Sequence, residues 1–155
     1  MSLVLAAVRP DDWNVSLFLH VLGAMVLVGA MVLASTLLAG AWRDGSAVLT
    51  RLAYRTLLIV ALPAWLVTRI FAQVIADKEG YDGDEVPTWI EIGFITTEPG
   101  LLLLIGATVA AGVGSRKALR EAGAVGTSRK VAAVLTWLIT VLYIVAIWAM
   151  TAKPD

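Results

Sequence analysis

The sequence predicts an all-α membrane protein, an antiparallel bundle of four transmembrane helices with a short interfacial helix before the third span. The 155 residues are 59% hydrophobic and 15% charged, with a mean hydropathy of +0.85, whereas a soluble domain carries roughly 25% charged residues. Four apolar runs approach the length of about 20 residues that a helix needs to cross a bilayer. These runs lack strand alternation, and backbone in lipid must form helices or closed barrels.

The four predicted spans belong to a single domain, 1–155, and cover residues 14–41, 56–76, 98–115 and 131–152. The first span contains no formally charged residue, so it is the clearest of the four. The second is interrupted by Arg69, and the third is short unless residues before Pro99 contribute to it.

The segment before the third span has two open arrangements. Pro99 removes a backbone hydrogen bond and disfavours helix at the residue before it. Either one long helix bends at Pro99, or a surface helix over about 88–96 ends and a new helix begins at Pro99. We favour the second arrangement, because Thr96, Thr97 and Glu98 could cap a new N-terminus, where the helix dipole favours a carboxylate.

Basic residues predict the orientation. Eight of the twelve lysines and arginines fall around two connections, the one between spans 1 and 2 and the one between spans 3 and 4: Arg43, Arg51, Arg55, Arg116, Lys117, Arg120, Arg129 and Lys130. Loops on the cytoplasmic side carry such an excess of positive charge. We therefore expect a multi-pass protein of the bacterial cytoplasmic (inner) membrane with both termini outside.

Three ionisable residues interrupt the spans, and all three belong to the outer half of the predicted bundle. His20, the only histidine, lies about 10 Å in from Trp13 at 1.5 Å per residue, and Arg69 lies at a similar depth on the antiparallel second span. Glu98 begins the third span from the same side. Because charges within a membrane usually face the bundle interior or a cavity, we predict that His20, Arg69 and Glu98 form a buried polar cluster.

Four further residues are predicted to line a ligand near this cluster: Gly23, Trp65, Gln73 and Tyr143. Gly23 shares the face of His20 at helical spacing and would let a helix or a flat ligand approach. Trp65 and Gln73 lie one turn on either side of Arg69, which could combine ring stacking, charge and hydrogen bonding. Tyr143 ends a stripe of hydroxyl side chains on span 4, whose threonines could equally bond to their own helix backbone.

Two stretches carry a family resemblance: FLHVLGAMVLVGA (18–30) and PTWIEIGFITTEPGLLLLIGA (87–107). They resemble a broad group of uncharacterised four-helix membrane proteins, mostly from high-GC actinobacteria. The first stretch is more distantly similar to the copper-resistance D-type and the protoporphyrinogen-oxidase-like (HemJ) families. In those families a histidine of the first span is associated with metal or haem, so the resemblance implies that His20 is a candidate haem ligand.

Three functional interpretations are open, and the sequence contains no catalytic motif that would make the protein an enzyme. The first is a structural or accessory membrane subunit held together by the polar cluster. The second is a membrane redox protein that binds haem b or a quinone. With one histidine, haem would be five-coordinate or would use Met25, Met31 or a second subunit. The third is a proton-coupled transporter or channel, in which His20 and Glu98 would take up and release the proton.

Composition narrows the chemistry and the partners. The absence of cysteine excludes disulfides, iron–sulfur clusters and thiol chemistry. A net charge of zero argues against a nucleic-acid partner, so the lipid bilayer is the expected partner. Small residues at Gly106, Ala110 and Gly114 offer a seam for a homo-oligomer or for assembly into a larger membrane complex.

Overall fold

A computed structural model describes residues 13–81, 86–120 and 126–153. Within these residues the chain forms four helices, α1 (Asn14–Asp44), α2 (Ala47–Glu79), α3 (Thr88–Arg120) and α4 (Thr127–Ala152). Each helix is long and apolar enough to cross a membrane. This confirms the predicted all-α four-helix architecture and identifies a small multi-pass membrane protein.

Residue pairs across the interfaces show that neighbouring helices run antiparallel. Along α1 and α2, Gly40 lies close to Leu49 and Gly23 lies close to Thr68. Along α3 and α4, the pairs are Gly93 with Met150, Gly100 with Tyr143, Gly106 with Leu135, and Gly114 with Arg129. We call the end of the bundle where α1 begins and α4 ends the terminal end. The opposite end, with the α1–α2 and α3–α4 connections, is the loop end.

The second helix begins earlier than the predicted span, at Ala47 rather than residue 56. Gly45 ends α1 in a left-handed conformation with a φ of 67°, which glycine adopts without steric cost. The hydroxyl of Ser46 then accepts a hydrogen bond from the backbone N–H of Leu49 at 3.3 Å and caps α2. The apolar run therefore marked only part of the helix, which extends past the run toward its N-terminus.

A π-helical segment, Thr56–Ala61, lies within α2 directly before Pro63. Proline lacks a backbone N–H and its ring crowds the carbonyl one turn earlier. The backbone N–H of Leu62 bonds to the carbonyl of Leu57, five residues back, which is the wider π-type turn. The wider turn accommodates the proline without ending the helix.

The predicted break at Pro99 is wrong, because α3 continues as one helix from Thr88 to Arg120 with Pro99 inside it. No separate interfacial helix over 88–96 exists. Thr96 and Thr97 do not cap a new N-terminus, since both hydroxyls donate to the carbonyl of Gly93, at 3.0 and 2.6 Å. A break would leave several backbone groups without partners, whereas an internal proline removes one hydrogen bond, so lipid favours the continuous helix.

The core of the bundle is built largely from alanine and from a few large side chains. Its fully or almost fully buried members come from all four helices: Met31, Ala34, Leu38, Ala53, Leu57, Ala61, Leu104, Ala107, Ala111, Ala132, Ala133 and Ile139. Small side chains let helix backbones approach closely, which is the main source of attraction between helices in lipid. The large exposed hydrophobic side chains, such as Phe18, Met25 and Leu102, are those expected of lipid-facing positions.

Arg129 connects the two hairpins at the loop end. Its side chain is 1% exposed, and its Nη1 donates to the carbonyl of Gly45 at 2.8 Å, beyond the last turn of α1. Gly114 makes room for it, because a Cβ at this glycine would lie 2.9 Å from the Arg129 Cγ. Gly106 and Gly114 thus pack against α4 of the same chain, so the small-residue seam is used inside the bundle.

Candidate functional site

Two adjoining cavities open into the terminal half of the bundle. The first has a volume of about 360 Å³ and reaches the terminal end, where Glu79, Trp89 and Lys153 line it. The second has a volume of about 540 Å³ and extends deeper, to Leu27 and Tyr143. They share six lining residues, His20, Val21, Thr68, Gly93, Thr97 and Met150. Together they have the size and the mainly apolar lining of a small-molecule site.

The first cavity is lined mainly from α2 and α3, where the helices pack unequally, whereas the deeper cavity is lined mainly from α1 and α4. The terminal half of α2 packs against α1, and α3 packs closely against α4, but this half of α2 makes few contacts with α3. Side chains bridge the resulting gap: the indole Nε1 of Trp65 donates to the carbonyl of Thr97 at 3.2 Å. The guanidinium of Arg69 lies 4.7 Å from the centre of the Phe94 ring. The gap between α2 and α3 is therefore closed by side chains rather than by close contact of the helices.

His20 is held by a backbone atom of α2. Its Nδ1 lies 3.0 Å from the carbonyl oxygen of Thr68. A carbonyl only accepts hydrogen bonds, so Nδ1 carries a proton, and when the ring is neutral Nε2 keeps its lone pair. Gly23, one turn along α1, allows this approach, because a Cβ there would lie 2.7 Å from the Thr68 hydroxyl. His20 lines both cavities with Nε2 available as an acceptor.

Tyr143 lines the deeper cavity, and its hydroxyl is buried against Gly100 of α3. Its side chain is 5% exposed, and its hydroxyl has no hydrogen-bond partner within the described residues. A buried hydroxyl without a partner costs about 1–3 kcal/mol, so such groups are rare and call for an explanation. A Cβ on Gly100 would lie 3.2 Å from this hydroxyl, so the absence of a side chain at Gly100 leaves room for the Tyr143 hydroxyl.

Arg69 and Glu98 form an ion pair between α2 and α3, with 3.3 Å between Nη2 and Oε1. The Arg69 side chain is 24% exposed and that of Glu98 is 64% exposed. Arg69 also donates to Gln73 at 3.0 Å, and Gln73 donates to Asp77 at 2.8 Å. The pair thus lies at the edge of the bundle. Arg69 thus pairs with Glu98, and His20 and Arg69 line the same cavity. That His20, Arg69 and Glu98 form one cluster stays a prediction.

The other predicted lining residues have varied positions. Trp65 is 9% exposed and belongs to the core, Gln73 belongs to the chain of polar side chains on α2, and Gly23 serves the α1–α2 contact. Of these four predicted lining residues, only Tyr143 lines either of the two cavities described above. Sequence reasoning missed Thr68 and Met150, which line both cavities. Thr68 contributes through its backbone carbonyl, which no side-chain pattern reveals.

The hydroxyl stripe on α4 divides into two parts. Thr136 donates to the carbonyl of Ala132, and Thr140 donates to that of Thr136 at 2.8 Å, as expected if threonines bond to their own helix. Thr140 also lies 3.2 Å from the Ser35 hydroxyl on α1. Tyr143 is the member of the stripe without a partner in the described residues.

Haem, implied by the family resemblance, would have one candidate ligand in His20 and another in Met150. His20 has the arrangement typical of a metal-binding imidazole, with its other ring nitrogen bonded to a backbone carbonyl. Met31 is fully buried in the core, whereas Met150, which also has a thioether, lines both cavities. The described residues contain no group of three metal-ligating side chains. A haem here would be held by His20, and Arg69 and Lys153, which line the first cavity, would offer cationic partners to its propionates.

We expect Tyr143→Phe to stabilise the ligand-free protein, because the change removes an unpartnered buried hydroxyl and keeps the ring. The gain should be about 1–3 kcal/mol. The midpoint of thermal unfolding in detergent should therefore rise. A lower midpoint for Tyr143→Phe would mean that the hydroxyl serves a structural contact.

No protein-family model, no curated protein and no solved structure matches this chain.

Proposed function

We propose that this protein is an accessory membrane protein that binds a lipid-soluble molecule with a hydrogen-bonding head group inside the terminal half of its bundle. One observation carries the proposal. An imidazole acceptor, His20 Nε2, and an unpartnered hydroxyl, Tyr143 Oη, belong to residues that line the same apolar cavity of about 540 Å³. A few polar groups in an apolar cavity are the usual composition of a ligand site.

A purely structural role explains less of this arrangement. A polar cluster kept for packing would satisfy its own members, because buried polar groups without partners destabilise a bundle. Here His20, Arg69 and Glu98 all have partners within the chain, as a packing cluster would, whereas the buried hydroxyl of Tyr143, outside that cluster, has none among the described residues. Proton transport through the bundle would need a polar route beyond Tyr143. The threonines beyond it bond to their own helix.

Extraction of the purified protein tests the proposal. Wild-type protein isolated in mild detergent should yield one lipid-soluble compound in near-stoichiometric amount by mass spectrometry. Ala146→Phe, which places a ring in the deeper cavity, should lose that compound. Val141→Phe puts the same ring on an exposed position of the same helix and should keep it. Equal recovery from all three proteins, or none from wild type, would contradict the proposal.

Haem is the second candidate, favoured by the position of Met150 beside His20 in both cavities. An optical spectrum of the purified protein distinguishes it. A Soret band that His20→Ala abolishes would assign haem to this cavity, and extraction would then yield protoporphyrin IX iron.

We further propose that both termini lie outside the cytoplasmic membrane of a bacterial cell. The clustering of basic residues at the loop end supports this orientation.

The lack of native cysteine makes this orientation easy to test. In intact cells, a membrane-impermeant thiol reagent should label Lys153→Cys at the terminal end. It should label Lys117→Cys at the loop end only after permeabilisation. Each variant removes one lysine, so the two are matched in charge. The reverse labelling pattern would invert the proposed topology.

A further inference from the structure

The deeper cavity opens sideways between two helices, and this opening indicates which class of ligand it takes. We infer that the ligand is a membrane lipid that places a hydrocarbon chain in the deeper cavity and an anionic head group, phosphate or carboxylate, at the mouth of the first cavity. This inference rests on the proposed binding function and names the ligand class. The rim of the cavity, its walls and the charges at the mouth carry it.

The opening lies between α1 and α4. These helices are in contact at Ser35 and Thr140, whose hydroxyl oxygens lie 3.2 Å apart. About two helical turns closer to the terminal end, Val28 on α1 and Ile147 on α4 line the deeper cavity. Ile147 is exposed, and Met25, which also lines this cavity, is 68% exposed. Residues that line a cavity and are this exposed form the rim of an opening, so the deeper cavity opens on the outer surface of the bundle.

Hydrocarbon surrounds this opening. Met25 lies about 16 Å along α1 from Asn14, well inside the apolar run of the first span. The neighbouring exposed side chains of both helices are large and apolar: Phe18, Leu22, Val26, Ile144 and Trp148. At this depth the bilayer consists of lipid chains. A chain can therefore enter the deeper cavity from the side without passing the charged mouth.

The walls of the deeper cavity suit a hydrocarbon chain. They consist mainly of aliphatic side chains: Val21, Ala24, Leu27, Val28, Ala146 and Ile147. A charged head group among these side chains would lose its hydration and meet no permanent cation in the lining. The chain of the ligand therefore belongs in the deeper cavity, and its head group belongs elsewhere.

The first cavity provides for the head group. It shares six lining residues with the deeper cavity and continues from them to the terminal end. Two cations, Arg69 and Lys153, and one acid, Glu79, line it. The bonds of Arg69 to Gln73 and Glu98 use two of its five N–H donors, so others remain for a ligand. The excess of cations among the lining residues favours an anionic head group.

Photo-crosslinking tests where the chain lies. Wild-type protein, stripped of its co-purified compound, is placed in phosphatidylcholine nanodiscs with palmitoyl lysophosphatidic acid that carries a diazirine in the middle of its chain. Peptide mapping by mass spectrometry should find adducts within residues 143–151 of α4, and excess unlabelled lysophosphatidic acid should remove them. Adducts at Leu102, an exposed side chain of α3, should persist, because they report random contact with the bilayer.

Competitors test the head group. Lysophosphatidic acid should displace the probe at a concentration about tenfold lower than monopalmitoylglycerol, which has the same chain and a glycerol hydroxyl but no charge. Palmitate is the second anion, and whichever of the two anions displaces the probe at the lower concentration identifies the head group as phosphate or carboxylate. The inference would be overturned if neither anion displaced the probe better than monopalmitoylglycerol.

Lysine variants assign the preference to the mouth. Lys153→Gln should reduce the preference for lysophosphatidic acid over monopalmitoylglycerol several-fold. Lys117→Gln, the same change at an exposed lysine of the loop end, should leave that preference unchanged. Equal preferences in these two variants would contradict the position of the head group.

Cavity variants separate this inference from the proposed function. Ala146→Phe should abolish the adducts that unlabelled lipid removes, and Val141→Phe should keep them. Wild-type protein without such adducts in the deeper cavity would overturn the inference. If extraction still yielded a compound that Ala146→Phe loses, the proposed binding function would stand without it.

Discussion

Gly23→Ala should lower the unfolding midpoint, whereas Gly29→Ala, six residues further along the same helix, should leave it unchanged or raise it. A Cβ at Gly23 would lie 2.7 Å from the hydroxyl oxygen of Thr68 and 3.1 Å from its backbone nitrogen, so α1 and α2 would have to separate. Overpacking of this kind costs about 1–3 kcal/mol. A Cβ at Gly29 would meet nothing within 4 Å, so the better helix propensity of alanine should dominate.

Thermal unfolding of both variants in one detergent measures this difference. The Gly23 variant should also weaken the bond between His20 Nδ1 and the Thr68 carbonyl, because the same contact positions both groups. Equal midpoints for the two variants would show that α1 and α2 are not in close contact at this depth.

Ala146→Phe should separate the stability of the bundle from its binding function. In ligand-free protein the added ring fills part of the deeper cavity, so the unfolding midpoint should stay the same or rise. In wild type, a ligand at a hundred times its Kd adds about 2.7 kcal/mol of stability. The filled cavity should abolish this increment. Thermal unfolding of each protein, as purified and after removal of the co-purified compound, measures it.

Val141→Phe is the matched control, since Val141 is 51% exposed on the same helix. It should keep the full ligand-induced rise. An undiminished rise in Ala146→Phe would place the binding site elsewhere in the protein.

The fold could be predicted from hydropathy because each span is a nearly continuous apolar run, and lipid leaves the backbone little choice but helix. The helix ends could not be predicted in this way, because α2 extends beyond its apolar run and includes polar residues such as Arg51 and Arg55. Pro99 led to the wrong prediction of a helix break. Its cost inside a helix is one hydrogen bond, and α3 packs against α4 on both sides of it, at Gly93 and Gly100.

The candidate site was predictable only in part. The depth of His20 and Arg69 followed from counting residues along antiparallel helices, and the pair of Arg69 with Glu98 followed from that depth. The hydrogen-bond partner of His20 could not be predicted, because it is the backbone carbonyl of Thr68, and every residue has such a carbonyl. The first cavity arises because α2 and α3 separate toward the terminal end. That separation depends on three-dimensional packing and leaves no pattern in the sequence.

Nitrogen-15 NMR of the single histidine tests the central claim most directly. With one histidine in the chain, selective labelling gives the two ring nitrogens of His20 and no others. The account predicts the tautomer that carries its proton on Nδ1, and a shift of the Nε2 signal toward that of a hydrogen-bonded nitrogen when the co-purified compound is returned to stripped protein. A neutral ring protonated at Nε2 in the stripped protein, with no response to that compound, would contradict it.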